Sequence, residues 1–194
     1  MSKLKLITPP TQDILTLEEV RLHLRLDADG SPPSHPDDEM LEALIQAATN
    51  DLDAQDGFLG RALCTQTWDL YLDAWEDQIY LPFPPLQSIT SIKYTPPTGA
   101  QQTLSSSVYQ LVEGIPSSII LAVDQSWPDL KDTQDVIVIR FVCGYGAPAD
   151  VPKLIKQYAL MQIAAWYEHR STIGGNVQPT PFVRHMLQSY RVGF

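Results

Sequence analysis

The chain has 194 residues, with 13 Lys and Arg against 23 Asp and Glu and a formal net charge of −10 at neutral pH. Such a length supports a domain with a real core, burying roughly 70% of the surface its unfolded chain exposes, so it needs no disulfide or metal staples. The acidic excess argues against a nucleic-acid-binding protein, because phosphate binding needs clustered Lys and Arg to displace counterions.

Taken in chain order, a proline-bearing arm precedes the first helix signal. Thr16 and Glu19 have the spacing of a capping box, and Leu15 with Val20 that of a hydrophobic staple, which predicts a helix from Leu17 to near Asp27. The segment "DADGSPPSHP" cannot continue it. A second helix is predicted from about Pro36–Asp38, with an acidic first turn, an apolar stripe of Leu41, Leu44, Ile45, Ala48 and Leu52, and a stop at Asp56-Gly57. From Arg61 the period becomes alternating. In "TWDLYLDAW", Trp68, Leu70 and Leu72 alternate with Asp69, Tyr71 and Asp73, as in a strand with one buried face. Pro82, Pro84 and Pro85 favour an extended crossover between strands, and Thr95–Gly99 reads as a hairpin turn. Short strands are predicted at Val108–Val112, Ser118–Val123 and Val136–Val142, the last apolar enough to lie inside a sheet.

The stretch "FVCGYGAPADVPKLIK" resembles the start of a phosphate loop, but no Gly-Lys-Ser/Thr follows the glycines, and Pro152 removes a donor where an anion would sit. It reads instead as the return from a β module into a helix begun by Pro152. In that helix Leu154, Ile155, Tyr158, Ala159, Met161, Ile163, Ala165 and Trp166 cover more than half the circumference, which predicts packing on several sides. A last short helix is predicted from Thr180-Pro181, with Phe182, Met186 and Tyr190 on one face. The resulting fold class is α+β: a helical bundle core from residues 1–60 and 147–194, holding two N-terminal helices, a long central helix and a short C-terminal helix, with an inserted antiparallel β-rich module at 61–146.

Chemistry-bearing patterns are weak. His23, His35, His169 and His185 have no metal-ligand spacing, and no HExxH or GxSxG occurs. Asp37-Asp38-Glu39 suits an acidic first helical turn better than a metal cluster. Cys64 and Cys143 lie in or beside apolar runs, outside any CxxC or Cys/His cluster, and read as buried free thiols. The expectation is therefore no catalytic residue, no cofactor and no metal. Tyr71, Trp75, Tyr80, Phe83 and Trp127 are dense enough to raise a sugar-binding face, although strands bury such residues routinely. A small enzyme using dispersed carboxylates would need two of them with separated pKa values in one cleft. No apolar run reaches the roughly 20 residues of a membrane-spanning helix, and "MSKLKLITPP" lacks the apolar region of a signal peptide. The expectation is a soluble protein made in a reducing cytoplasm.

Charge divides unevenly: residues 1–60 hold 4 basic against 12 acidic, 61–150 hold 4 against 10, and 151–194 hold 5 against 1. The basic end could neutralise the acidic N-terminal helices or meet an acidic partner.

The ordered set "LTLEEVRLHLRLD", "DDEMLEALIQAA", "GRALCTQTWDLYLDAW", "LPFPPLQSITSIKYT", "SWP", "VIVIRFVCGYG", "VPKLIKQYALMQIAAWYEHR" and "SYRV" resembles the head-tail connector (adaptor) proteins of long-tailed bacteriophages, prophages and gene transfer agents. The resemblance runs from about Leu15 to Val192, with a Pro-rich loop at Gly30–Pro36 longer than the family's. It implies a non-enzymatic virion assembly protein, synthesised in the bacterial host cytoplasm. It further implies a ring of twelve copies below the portal protein, extending the DNA channel toward the stopper and tail. Double-stranded DNA would pass without specific binding, and no membrane is involved. A stopper or tail-completion protein of the same neck is the neighbouring alternative, and a carbohydrate- or receptor-binding module the alternative from another class. The basic C-terminal segment is the expected portal contact, with Arg184, Tyr190, Arg191 and Phe194 chosen because arginine and aromatics suit interface hot spots.

Overall fold

Helix formation begins where the capping signals stand. In the computed structural model, which describes residues 3–30, 33–169 and 185–193, the Thr16 hydroxyl accepts from the Glu19 N–H at 3.1 Å. The Glu19 carboxylate accepts from the Thr16 N–H at 2.8 Å. Helix α1 (Leu17–Leu24) follows, with Leu15 and Val20 both buried beside it. It ends at Arg25, in the left-handed region at φ 57°, short of the expected Asp27. Helix α2 (Asp38–Leu52) buries Leu41, Ile45, Ala48 and Leu52 along one face, while Leu44 is half-buried. Each fully buried Leu or Ile contributes on the order of 1.5–3 kcal/mol over leaving it exposed. The helix stops at Leu52 rather than at Asp56-Gly57. Gly57 serves the chain path instead, because its Cα lies so close to the backbone of Leu52 and Asp53 that no Cβ fits.

Helix α3 (Lys153–Glu168) starts directly after Pro152, and both α1 and α2 pack on it. It buries Ile155, Tyr158, Ala159 and Ile163. The expectation of packing on several sides is corrected here. Leu154, Met161 and Ala165 are half-buried and Trp166 is 36% exposed, so the apolar surface of the helix is covered only in part, with α1 and α2 the helices packed on it among the described elements. The predicted start of the last helix, Thr180–Pro181 with Phe182, lies outside the described residues. A helical turn at residues 185–187 with Leu187 fully buried, and a 3-10 turn at Gln188–Tyr190, lie within them.

The remaining elements are strands: β1 (Lys3–Thr8), β2 (Gln66–Leu72), β3 (Gln78–Tyr80), β4 (Leu86–Tyr94), β5 (Gln102–Thr103), β6 (Tyr109–Val112), β7 (Ser118–Leu121) and β8 (Ile137–Cys143). They form a five-stranded sheet in the order β1-β2-β8-β4-β5 and a three-stranded sheet in the order β3-β7-β6. Every pairing between these strands is antiparallel, so the chain is α+β. The chain divides into two compact units. One combines Gln12–Cys64 with Gly146–Gly193, and the other combines the N-terminal residues through Thr11 with Thr65–Tyr145. At the ends of the first unit's two segments, Cys64 and Gly146 pair in an isolated parallel bridge.

Two details of the strands depart from the sequence reading. The arm placed with the helical residues 1–60 instead forms β1, pairing with β2 from Lys3↔Tyr71 to Thr8↔Thr67. Asp69, expected on the open face of its strand, is only 2% exposed. The cause is its position on an interior strand opposite Arg140 of β8. The guanidinium closes over the carboxylate with two 2.7 Å hydrogen bonds, Nε to Oδ1 and a terminal nitrogen to Oδ2. A buried carboxylate is tolerable only with such a partner, and the fork geometry of arginine supplies both bonds at once. Strand β8 alternates Ile137, Ile139, Phe141 and Cys143 inward and lies between β2 and β4, inside the sheet as its composition predicts. The three prolines lie between β3 and β4, which belong to different sheets, and the Thr95–Gly99 turn closes with Gly99 N–H on Pro96 O at 2.9 Å.

Candidate assembly surface

Several of the side chains that could have carried chemistry are occupied by protein partners. Asp38 is paired through two oxygens with Arg21, which holds its carboxyl below the usual range by direct hydrogen bonding. Asp37 accepts from the Tyr167 hydroxyl at 2.6 Å, and its N–H donates to His35 Nδ1 at 3.1 Å. Glu19 accepts from Lys156 Nζ at 2.6 Å. Burial opposes its charge, yet the Lys156 and Thr16 hydrogen bonds outweigh burial and lower its pKa. At the Gly144–Val151 junction the Ala147 N–H, a donor that a phosphate would need, donates to the Asp150 carboxylate at 2.9 Å. Burial pushes the Cys64 thiol up to about 11, so the thiolate nucleophile is disfavoured. Among the described residues no group of three or more His, Cys, Asp or Glu could hold a metal ion. Among them, too, no helix is long and apolar enough to cross a membrane.

Of the aromatic residues weighed for sugar binding, Trp75 and Trp127 do come together, but on each other. Their rings stack at 4.5 Å and 7°, Tyr94 tilts against Trp75 at 6.3 Å, and the Trp75 indole N–H donates to the Pro128 carbonyl at 3.0 Å. The stack spends one face of each indole on pinning the loop before β8 to the loop after β2. Phe83 turns inward against Trp68 at 4.8 Å. These contacts hold the fold, which is the ordinary use of aromatics in sheets.

The expected partner-facing residues Tyr190 and Arg191 sit together on a loop that the sequence reading passed over; Arg184 and Phe194 lie outside the described residues. The loop is Phe58–Arg61. Arg61, 5% exposed, donates from Nε to the Tyr190 carbonyl at 2.7 Å. The Val192 N–H donates to the Leu59 carbonyl at 2.9 Å. The Arg191 guanidinium lies 5.0 Å from the centre of the Phe58 ring, a cation–π contact. Gly60, at φ +61°, makes room for the Val192 carbonyl, whose oxygen would lie 2.5 Å from any added Cβ. The C-terminal strap is thus held at three successive residues, with the Arg191 side chain exposed and Tyr190 half-buried. Two glycines bracketing an apolar pair, "GFLGR", were the signal available in the sequence.

No family model matches the chain, and no curated protein matches it. Solved structures do. The fold is similar to that of chains from gene transfer agent particles. A chain from the neck of an empty gene transfer agent particle, computed with sixfold symmetry, superposes with a TM-score of 0.78 at 23% identity, covering 99% of this chain and 96% of that one. A chain of the virion of a native particle gives 0.77 at 24% identity, over 98% and 96%. A chain from the neck of a native particle computed with twelvefold symmetry gives 0.69 at 22% identity, over 99% and 96%. At such identities the likeness establishes the fold, and it does so over nearly the whole length of each chain.

Proposed function

We propose that this chain is a structural virion protein of the head-tail neck, a connector (adaptor) forming a twelve-membered ring below the portal. The observation that carries the proposal is the whole-chain likeness to neck chains of a gene transfer agent particle. In this reading the helical segments act as a bundle core with the β module inserted into it. The ring extends the DNA channel and offers a docking surface to the stopper or tail. Its work is assembly, not catalysis. The net charge of −10 fits a passage for DNA, since an acidic wall repels phosphate and lets the duplex slide without adhering. The basic C-terminal segment, with Arg184, Tyr190, Arg191 and Phe194, faces the portal. The strap on Phe58–Arg61 supports that role by holding Tyr190 and Arg191 in place before binding, which lowers the ordering cost of an interface. The Trp75–Trp127 stack counts against the glycan-binding alternative, because it takes up one face of each indole, the kind of surface a sugar would stack on.

The test is truncation after Ile173, followed by co-sedimentation with the portal protein encoded on the same DNA element. The expected result is a folded β unit that no longer attaches. Undiminished attachment would overturn the C-terminal assignment. Arg191→Ala in the full chain should weaken attachment by about tenfold, the loss of roughly 1.4 kcal/mol typical of a contributing interface arginine.

A further inference from the structure

Strand β6 is an outer strand of its sheet, and outer strands present a row of unpaired N–H and C=O groups. Soluble proteins usually blunt such an edge with lysine, proline, a bulge or a cover. Tyr109–Val112 has none of the first three: no Lys or Pro occurs in it, and its register with β7 runs unbroken from Tyr109↔Leu121 to Val112↔Ser118. Apolar side chains stand open along it instead. Leu111 and Val112 are exposed, Ile115 in the turn that follows is 69% exposed, and Val123, beyond the other end of the strand, is 78% exposed. β1, an outer strand of the larger sheet, carries Lys3 and Lys5, which set like charges together in any β1–β1 pairing but not against an acidic edge, and its register irregularity, between Leu6 and Thr8, leaves Lys3–Leu6 regular.

We propose that β6 of one copy receives β1 of the neighbouring copy as an added strand, so that the two sheets join across subunits. This inference rests on the ring reading above and names its subunit interface. Charge selects the occupant. β6 is followed directly by Glu113, and Asp124 lies three residues beyond β7, whose last residue Leu121 pairs with Tyr109 of β6; β1 brings Lys3 and Lys5, both exposed, with Leu6 exposed beside them. The other outer strands fit worse: β3 is preceded by Glu76 and Asp77, which would set like charges together, and β5 is two residues long. Lys3 already lies 3.3 Å from Asp135 and 5.5 Å from the centre of the Tyr71 ring, but its side chain is 65% exposed, and an exposed charge of that kind is readily shared with a new acidic neighbour. A four-residue ladder would span roughly 13 Å, within the length of β1. Backbone pairing of this kind supplies affinity, and the charges fix which edge meets which.

Two full-length variants test it. Leu6→Cys and Gln110→Cys are prepared separately; the native Cys64 and Cys143 are buried and stay silent to a short bis-maleimide. Mixed with portal protein, the pair should give a cross-linked dimer that neither variant gives alone. Independently of thiol chemistry, Lys3→Glu with Lys5→Glu should lower ring assembly at least tenfold, as should Glu113→Lys with Asp124→Lys. Combining the two reversals in one chain should restore it. A ring that forms without the cross-link and is indifferent to the reversals overturns this interface and leaves the ring reading standing. Failure of the unmodified protein to form any ring on the portal overturns the ring reading, and this inference falls with it.

Discussion

Gly60→Ala is the sharpest probe of the C-terminal strap. The substitution forces a Cβ onto a residue at φ +61° and sets it 2.5 Å from the Val192 carbonyl oxygen, in contact with backbone that has no side-chain freedom to give way. The left-handed conformation costs a non-glycine residue about 1 kcal/mol. Displacing Val192 also breaks its 2.9 Å hydrogen bond to Leu59, worth about 1 kcal/mol net. The two together make about 2 kcal/mol of local destabilisation, or roughly a thirtyfold rise in the population of the released strap. Hydrogen exchange at the Val192 amide, measured by NMR, reads that opening directly, and the expected result is exchange about thirtyfold faster than in the parent. Gly99→Ala is the control: its φ of +92° strains the backbone equally in kind, but nothing lies within 4 Å of the new Cβ, so Val192 should be unaffected. Val192 exchange in Gly60→Ala within twofold of the parent would refute the reasoning, because the close approach could not then be what positions the strap.

Arg140→Met should destabilise the β unit by about 2 kcal/mol, below the 3–5 kcal/mol of a fully buried broken pair because the Arg140 side chain is 41% exposed and water can replace part of the guanidinium. Urea unfolding measures the loss, and adding Asp69→Leu should recover most of it. Stability should fall in acid. Glu19, Asp38 and Asp73 all have folded pKa values below their ordinary 4.5, 3.8 and 3.8, so their contribution is complete above those values and is lost as the pH drops through the lowered ones. Asp13, raised by burial, acts in the opposite sense. Urea midpoints should therefore be flat from pH 7 to about pH 5 and decline below about pH 4.5, with Glu19→Gln blunting the decline. A double-mutant cycle on Trp75 and Trp127 should return a coupling of about 1 kcal/mol in stability. A cycle near zero would show that the stack adds nothing beyond separate burial.

Local signals were legible in the sequence and distant pairings were not. Thr16 and Glu19 announce α1 because the capping box is complete within four residues, and β8 announces itself because an interior strand is apolar almost throughout. The arm that became β1 has the same short alternation as many exposed tails. Its partner Tyr71 lies far along the chain, and nothing within "KLKLIT" points there. Asp69 was misplaced for a related reason: period-two alternation assigns a face but not what covers it, and the cover is Arg140, 71 residues away. Composition singled out Tyr190 and Arg191, while their support on Phe58–Arg61 needed the tertiary contact, since Arg61 and Tyr190 are 129 residues apart. The width of the apolar face on α3 overstated its packing because apolar content says how much surface could be buried, not how many neighbours arrive to bury it.

The central claim is attachment to the portal as a ring, and electron microscopy of the protein mixed with the portal protein of the same DNA element tests it most directly. Negative-stain averages of the mixture and of portal alone should differ by one added layer carrying the portal's symmetry. Averages with no added density, under conditions where both proteins are folded, would contradict the account.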